Sequence, residues 1–241
     1  MTIRLPIIID DGRLKEIPSG DQISPGVLQA LIDDSAAHPD KTFSSEYILN
    51  LLYPFNITSF TASPSVAELG STVSTIGLSW ATNYTPSSVS LNNGIGAITP
   101  ATTTSYSHTG QTVTTDRTYT LTAERNGVTK TANAVVRFYN RIYYGVNSTQ
   151  TTSGSVISTF TSVLSNTRQR TITFNCTGGR YFHLAYPVRL GTATFTINNL
   201  AYSDVTLNTI NLTNSFGYTE PYYVYYCNVI QYGSSIPLVV N

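Results

Sequence analysis

The stretch RTYTLTAERNGVTKTANAVVRF, residues 117–138, predicts a β-hairpin more clearly than any other part of the chain. Tyr119 and Leu121 alternate with threonines, which is the two-residue period of a half-buried strand. Asn126-Gly127 is the favoured two-residue turn between antiparallel strands, and the returning strand carries Ala132, Ala134 and Val136 at alternate positions. The stretch therefore places this part of the chain in an antiparallel sheet.

The composition extends this interpretation to the whole chain of 241 residues. Only 11% of the residues are charged, 17 are tyrosines, and Thr, Ser and Asn are abundant. Thr, Tyr, Val and Ile fit pleated strands, whereas Asn, Ser and Gly favour turns. Lys plus Arg equals Asp plus Glu at 13 each, so the net charge gives no indication of nucleic acid. We expect a mainly β protein with no nucleic-acid partner.

Residues 1–55 differ in texture from the rest of the chain. IRLPIII and RLKEI predict short strands around a DDG turn. SPGVLQALIDD and SSEYILNLLY predict two short helices, each with a capping serine and an apolar stripe. So short a segment has little core of its own. We therefore expect it to oligomerise or to attach to another protein.

Two strand-rich parts follow, residues 56–138 and residues 139–241. In the first, TVSTIGLSW predicts a half-buried strand with Trp80 on its inner face. In the second, NRIYYGV predicts a strand, SVISTFTSVLSNTRQ a short helix, and TITFNCTGGRYFHLAYPV a hairpin through its TGG turn. TATFTINNLAYSDVTLNTINLTN predicts two or three strands, and YYVYYCNVI a last long one. Cys176 and Cys227 lie in apolar strand-like runs, and we expect them to be free buried thiols. A disulfide between them remains an alternative if their strands are neighbours.

Tyrosines crowd the stretch TEPYYVYYCNVIQYG, residues 219–233. On a strand, alternate residues point to opposite faces, and here both faces are apolar or aromatic, so both should be covered. Three interpretations stay open: one face packs on the domain core and the other on a sister subunit, both lie in a larger core, or the rings bind carbohydrate. The residues concerned are Tyr143, Tyr144, Tyr222, Tyr223, Tyr225 and Tyr226. Tyr218, Glu220 and Tyr232 are candidates for exposed contact.

The sequence contains no constellation of catalytic residues. His38, His108 and His183 lack a metal-ligand spacing, and no nucleophile elbow, P-loop or dinucleotide fingerprint occurs. The last part has only Asp204 and Glu220 as carboxylates, and Glu220 is expected to cap a turn or to pair with an arginine. We expect no enzyme, no cofactor and no metal site. Neither a signal peptide nor an apolar run of about 20 residues is found, so no membrane insertion is expected.

Residues 57–138 resemble the immunoglobulin-like sandwiches that recur in bacterial and phage surface proteins. The resemblance is carried by FTASPSVAELGSTV, by the strand ending in Trp80 and by DRTYTLTAERNGVT. It implies a core containing Trp80, Tyr119 and Leu121, with the Tyr119 hydroxyl tied to nearby backbone. The chain departs from antibody-type domains because it has no cysteine pair here and its Trp80 lies in the second strand instead of the third.

The flanking parts resemble virion proteins of tailed bacteriophages. IDDGRLKEIPSGDQI is similar to N-terminal attachment segments, and RTITFNCTGGRYFHLAYPVRLGTATFTINN with TINLTNSFGYTEPYYVYY is similar to terminal modules of tail fibres and baseplate appendages. The resemblance implies a structural protein assembled into the virion in the host cytoplasm, bound to other virion proteins and trimeric. Its C-terminal β-sandwich-like domain would adhere to a host polysaccharide or protein. Two alternatives are a purely architectural head or neck fibre or decoration protein, and a polysaccharide-trimming enzyme with carboxylates paired across subunits.

Overall fold

The computed structural model of this chain describes the backbone of two N-terminal strands and all of residues 54–241. Strands β1 (Ile7–Asp10) and β2 (Arg13–Glu16) pair antiparallel, as the sequence predicts. The two helices predicted between residues 24 and 53 lie outside the described residues. The chain divides into two compact units, Met1–Asn56 and Ile57–Asn241. Among the described residues no helix has the length and apolar character needed to cross a bilayer.

The first half of the larger unit is a sandwich of two sheets. One sheet has the strand order β3 (Ile57–Ser63), β5 (Ile76–Thr82) and β8 (Ser105–His108). The other has the order β7 (Gly96–Ala97), β6 (Ser88–Leu91), β9 (Arg117–Arg125) and β10 (Val128–Asn147), with β4 (Val66–Glu68) parallel to β10. This is the immunoglobulin division of strands A, B and E from strands C, F and G.

The hairpin of β9 and β10 has the predicted turn. Arg125 pairs with Val128, and Asn126 and Gly127 have φ angles of 51° and 76°, the positive values that this turn requires. Trp80, Tyr119 and Leu121 are buried between the two sheets. The Tyr119 hydroxyl lies 3.3 Å from Nδ1 of His108, so its partner is a side chain, where the resemblance implies backbone.

The second half is another sandwich. Its first sheet has the order β16 (Val205–Thr213), β17 (Thr219–Cys227), β13 (Tyr181–Pro187) and β10, with β11 (Thr161–Ser165) also paired to β10. Its second sheet has the order β12 (Arg170–Phe174), β18 (Ile236–Val240), β14 (Phe195–Ile197) and β15 (Leu200–Tyr202). The buried residues between these sheets are Ile142, Ile172, Phe174, Cys176, Phe182, Leu184, Tyr186, Phe195, Tyr225, Cys227, Ile236, Leu238 and Val240.

Strand β10 belongs to both sandwiches. Its first part, residues 128–136, pairs with β9, and its last part, residues 143–147, pairs with β13. The middle is paired too, because β4 adjoins residues 137–139 and β11 adjoins residues 140–144. The domain boundary predicted at residues 138 and 139 thus falls inside a continuous strand, and no linker separates the two sandwiches.

The predicted helix over residues 155–169 is wrong in most of its length. The helix α1 spans only Gly154–Ile157, and β11 follows it. Thr161 and Val163 are β-branched, and β-branched residues favour strands. The pairing of this segment with the edge of β10 overrides the helical spacing of its apolar residues.

The predicted hairpin through Thr177-Gly178-Gly179 is also wrong. Strand β12 pairs with β18, whereas β13 pairs with β10 and β17, so the two predicted arms lie in opposite sheets. Gly178 and Gly179 both have a φ of 78°, and this left-handed backbone carries the chain from one sheet to the other. A short 3₁₀ helix, Val188–Leu190, follows β13. Cys176 and Cys227 are free and buried, as predicted.

Candidate interaction surfaces

The first sheet of the second sandwich, formed by five strands (β16, β17, β13, β10 and β11), has an inner face rich in aromatic rings. Tyr225 stacks on Tyr186 with 5.8 Å between ring centroids and meets Phe195 edge-on at 4.9 Å. The Tyr225 hydroxyl accepts a hydrogen bond from the backbone N–H of Ala193 at 3.1 Å. Burial raises the pKa of the Tyr186 hydroxyl well above its usual range. Tyr186 therefore stays neutral, and both tyrosines act as core residues.

The outer face of the same sheet is covered by a segment of the same chain. We name residues 150–160, which include α1, the strap. Its Ile157 and Phe160 pack with Tyr143 and Tyr222, whose ring centroids are 6.1 Å apart. The Tyr222 hydroxyl donates a hydrogen bond to the carbonyl of Arg141 at 2.8 Å. The second face of these strands therefore has an apolar cover within the chain.

The strap is held to the sheet by polar contacts as well. Gln150 Nε2 donates hydrogen bonds to the carbonyls of Cys227 and Asn228, both at 3.2 Å. The Thr151 N–H donates to Nε2 of His183 at 3.1 Å. Two of the three acceptors belong to strands β13 and β17, and the third, Asn228, directly follows β17, so these bonds fix the start of the strap to both strands.

His183 is fully buried under the strap, between the rings of Phe160 at 5.5 Å and Tyr226 at 5.9 Å. Its Nδ1 lies 3.1 Å from the carbonyl of Tyr181 and must donate a proton to it, so Nε2 is the unprotonated acceptor for Thr151. Burial lowers the pKa of His183 from 6.5 to about 4. At neutral pH this histidine is uncharged and structural.

The six tyrosines that the sequence singles out thus fall into two groups. Tyr143, Tyr222 and Tyr225 are buried within the chain. Tyr144, Tyr223 and Tyr226 are half-buried. Core packing and strap cover account for the buried group, while a subunit interface that uses the half-buried group stays a prediction.

Tyr218 and Tyr232 are exposed aromatic residues at the two ends of β17, with 38% and 70% of their surface accessible. The nine residues of β17 separate them, which is about 30 Å of extended chain. They cannot form one binding platform within a single chain. Tyr232 lies beside Gly179 at the end where the loops after β12 and β17 meet.

Glu220 pairs with Arg189, as one of the two sequence interpretations predicts, with 3.6 Å between Oε2 and Nε. Its other oxygen, Oε1, is buried without a hydrogen-bond partner. Burial raises the pKa of Glu220, and Arg189 opposes this shift only in part. Asp204 contacts Asn228 at the opposite end of β17, at 3.0 Å. Within one chain the two carboxylates are therefore too far apart for glycoside hydrolysis.

The junction between the two sandwiches holds a network that the sequence analysis did not single out. The Glu68 carboxylate accepts a hydrogen bond from Arg141 Nε at 2.7 Å, and only 5% of the Glu68 side chain is exposed. Arg141 also donates to Ser162 Oγ at 3.1 Å. On the other side of the junction, Asn214 Nδ2 donates to the carbonyl of Leu69 at 2.6 Å.

One sequence signal for this network exists. Glu68 stands between Ala67 and Leu69 in the stretch that carries the immunoglobulin-like resemblance, and an acidic residue there needs a partner if it is buried. Nothing in the sequence identifies that partner as Arg141, because 73 residues separate the two.

A depression of about 500 Å³ lies on the immunoglobulin-like sandwich. Its lining includes Trp80, Tyr84 and several threonines. Trp80 is buried, and Arg125 occupies one face of the Tyr84 ring at 4.5 Å from its centroid, so the depression has no pair of open ring faces for a ligand. In the part of the chain that the structure describes, no group of three or more histidine, cysteine, aspartate or glutamate side chains could hold a metal ion.

Comparison with solved structures finds proteins with immunoglobulin domains. The titin Ig tandem domains A164-A165 are 10% identical, the match covering 73% of this chain and 82% of theirs, with a TM-score of 0.22. A chimeric titin Z1Z2 carrying a decorin peptide is 13% identical over 78% and 89%, with a TM-score of 0.25. The N-terminal eight Ig domains of DSCAM are 8% identical over 73% and 23%, with a TM-score of 0.21.

No protein-family model matches the chain, and no curated protein does. TM-scores this low carry no argument about function. The fold assignment rests on the strand order, which separates β3, β5 and β8 from β6, β9 and β10. The chain is mainly β, with an immunoglobulin-like sandwich that continues into a second sandwich.

Proposed function

We propose that the chain is a structural protein of a bacteriophage virion, a tail-fibre or baseplate appendage that attaches by its N-terminal segment. Residues 57–241 form its stiff arm. The single observation that carries this proposal is β10, whose 20 residues pass through both sandwiches without a break. The sequence resemblance of the flanking parts to virion proteins supplies the location.

The junction has the features of a rigid joint. Domains joined by a linker move relative to each other by default. Here the connecting strand is hydrogen-bonded to β4 and β11 where the two sandwiches meet. The pairs Glu68–Arg141 and Asn214–Leu69 join the same two halves. Bending at the junction would break this strand pairing. The arm therefore transmits force and keeps its two ends at a fixed distance from each other.

The exposed end of the second sandwich that carries Tyr232 is the surface proposed for contact with the host. Tyr232 presents most of its ring to solvent there, whereas Tyr218 lies at the junction, beside Gly70, and is only partly exposed. A tyrosine buries a large area on binding while its hydroxyl still finds a partner, which suits a polysaccharide or a protein surface. The N-terminal segment binds other virion proteins, and the assembled protein is a homo-oligomer.

The test of this proposal is the location of the chain. Particles released from cells that encode it are purified on a density gradient and analysed by quantitative mass spectrometry, and an antibody against residues 57–241 labels them in the electron microscope. We expect the chain in the particle band at a fixed number of copies, with label on an appendage. Its presence only in the soluble fraction would exclude a virion role.

A binding assay separates the adhesive from the architectural version. The fluorescently labelled chain is incubated with the host of those particles, and Tyr232→Ser is compared with the unchanged chain. Reduced binding of Tyr232→Ser supports adhesion through this end. A chain that is present in the particle but does not bind the host is an architectural component.

A further inference from the structure

Strand β16 has a free edge. Among the described residues only β17 pairs with it. The Asn214 N–H donates to the carbonyl of Tyr218, and the Asn228 N–H donates to the carbonyl of Asp204. Along an antiparallel strand, successive residues alternately direct their main-chain groups toward the paired strand and away from it. The even-numbered residues of β16 therefore direct their N–H and C=O groups to β17. The odd-numbered residues, Leu207 and Thr209 among them, direct theirs outward.

This edge lacks the features that usually protect an edge strand. Its sequence, VTLNTINLT, contains no charged residue, no proline and no glycine over nine residues. Soluble proteins usually place charges, proline, bulges or short strands at such edges, because unpaired main-chain groups attract another strand. Leu207 is 40% exposed, and Leu200 on the neighbouring β15 is 73% exposed. Both sheets of the sandwich are thus open on this side.

We propose that β16 pairs antiparallel with β16 of a second copy of this chain, across a two-fold axis at Thr209. The inference rests on the proposed function in one respect: it names the contact through which the structural protein assembles. The pairing joins two five-stranded sheets into one continuous sheet. It uses about six main-chain hydrogen bonds, two for each pair formed by residues 207, 209 and 211.

The charge pattern favours a second copy as the occupant. In this pairing Thr209 lies opposite Thr209 of the second copy, Leu207 lies opposite Asn211, and Asp204 lies opposite Asn214. No two like charges meet, since Asp204 is the only charged residue in this set. Ile210 of each copy becomes a diagonal neighbour of the other across the axis, within reach of an apolar contact.

Symmetry also favours this arrangement. Pairing across a two-fold axis uses the same surface on both copies, so it closes and leaves no β16 edge free. Pairing of β16 with β11, at the far side of the same sheet, would leave a free edge on each end and grow into a filament. A nine-residue edge is a small contact, so we expect a dimer that forms as concentration rises, in place of the trimer that the sequence resemblance implies.

The full-length chain tests this inference by sedimentation velocity over a wide range of concentration. We expect a monomer–dimer equilibrium. Thr209→Lys sets two lysines against each other at the axis and should raise the dimer dissociation constant about tenfold. Thr131→Lys is the matched control, because Thr131 is an exposed strand threonine on β10, and it should leave the equilibrium unchanged. Circular dichroism checks that both variants fold.

A second variant tests the register directly. In a hydrogen-bonded antiparallel pair the Cα atoms are about 5.5 Å apart, which lies within the range for a disulfide. Thr209→Cys should therefore give a covalent dimer under mild oxidation, and Thr131→Cys should not. The two native cysteines are buried and do not interfere.

A chain that stays monomeric at every concentration, or an oligomer that persists in Thr209→Lys, would overturn the inference. So would equal cross-linking at positions 209 and 131. None of these results affects whether the chain is found in particles, so the inference and the proposed function fail separately.

Discussion

His183 makes the stability of this protein depend on pH in a predictable direction. Its pKa is about 4 in the folded chain and 6.5 when the side chain is free. Between these values the unfolded chain binds a proton that the folded chain does not. The free energy of unfolding therefore falls as the pH is lowered from about 7 to about 4 and rises again as the pH is raised.

The size of this effect follows from the shift in pKa. The two values differ by about 2.5 units, and one unit corresponds to about 1.36 kcal/mol, so full protonation of the unfolded state removes about 3 kcal/mol. No described carboxylate contacts the imidazole to offset the loss: its neighbours are the Phe160 and Tyr226 rings, the Tyr181 carbonyl and the Thr151 N–H. Protonated Nε2 would also face the Thr151 N–H as a second donor, which weakens the strap.

Urea denaturation at a series of pH values from 7.5 to about 4 measures this effect. The comparison is with His183→Gln, which keeps an acceptor for the strap and has no proton to gain. The variant should be less stable at neutral pH and should lose about 3 kcal/mol less than the unchanged chain on acidification. Contributions from other groups, such as the raised pKa of Glu220, cancel in this comparison. A constant difference between the two proteins across the whole range would refute the reasoning.

Three further predictions concern packing and the junction, and urea denaturation measures each of them. Arg141→Met should lower the free energy of unfolding by about 3 kcal/mol, because it leaves the buried Glu68 carboxylate unpaired. Glu68→Gln should lower it by only about 1 kcal/mol, because the half-exposed Arg141 can be solvated. Equal losses in the two variants would contradict a buried pair. Gly145→Ala should cost about 1–3 kcal/mol, since its Cβ would lie 2.7 Å from the Phe160 ring, and a neutral result would show that the strap does not pack there. Tyr222→Phe should cost about 1 kcal/mol by removing the hydrogen bond to Arg141, while Tyr232→Ser should leave stability unchanged.

The local features of the fold were predictable because they depend on neighbouring residues. The Asn126-Gly127 turn is set by two residues that accept positive φ, and the alternation of Tyr119 and Leu121 with threonines sets a strand whatever it pairs with. The first N-terminal hairpin follows from the same kind of signal. For these elements sequence and structure agree because local preference and tertiary pairing favour the same conformation.

The elements that sequence reasoning missed depend on distant partners. Strand β12 looks like one arm of a hairpin, but β18, the last strand of the chain, completes its sheet. Residues 161–165 carry a helical spacing of apolar side chains and still form β11, because an open edge of β10 is available to them. A single sequence does not show which strand edge a segment will pair with. Pairing between strands that are far apart in the sequence was therefore not predictable.

The two-sided tyrosine pattern shows how this limit affects a functional interpretation. The aromatic residues around Tyr222 predict that both faces of β17 are covered. A sister subunit is one of the covers that the sequence analysis considers. The structure supplies that cover from the strap, residues 150–160, a segment whose apolar Ile157 and Phe160 are too few to indicate such a role. Once both faces are covered from within, the main-chain groups along the two edge strands, β11 and β16, remain for another chain. The longer of these edges is β16, with nine residues against five, so Thr209 at its centre is the position at which a substitution tests assembly most directly.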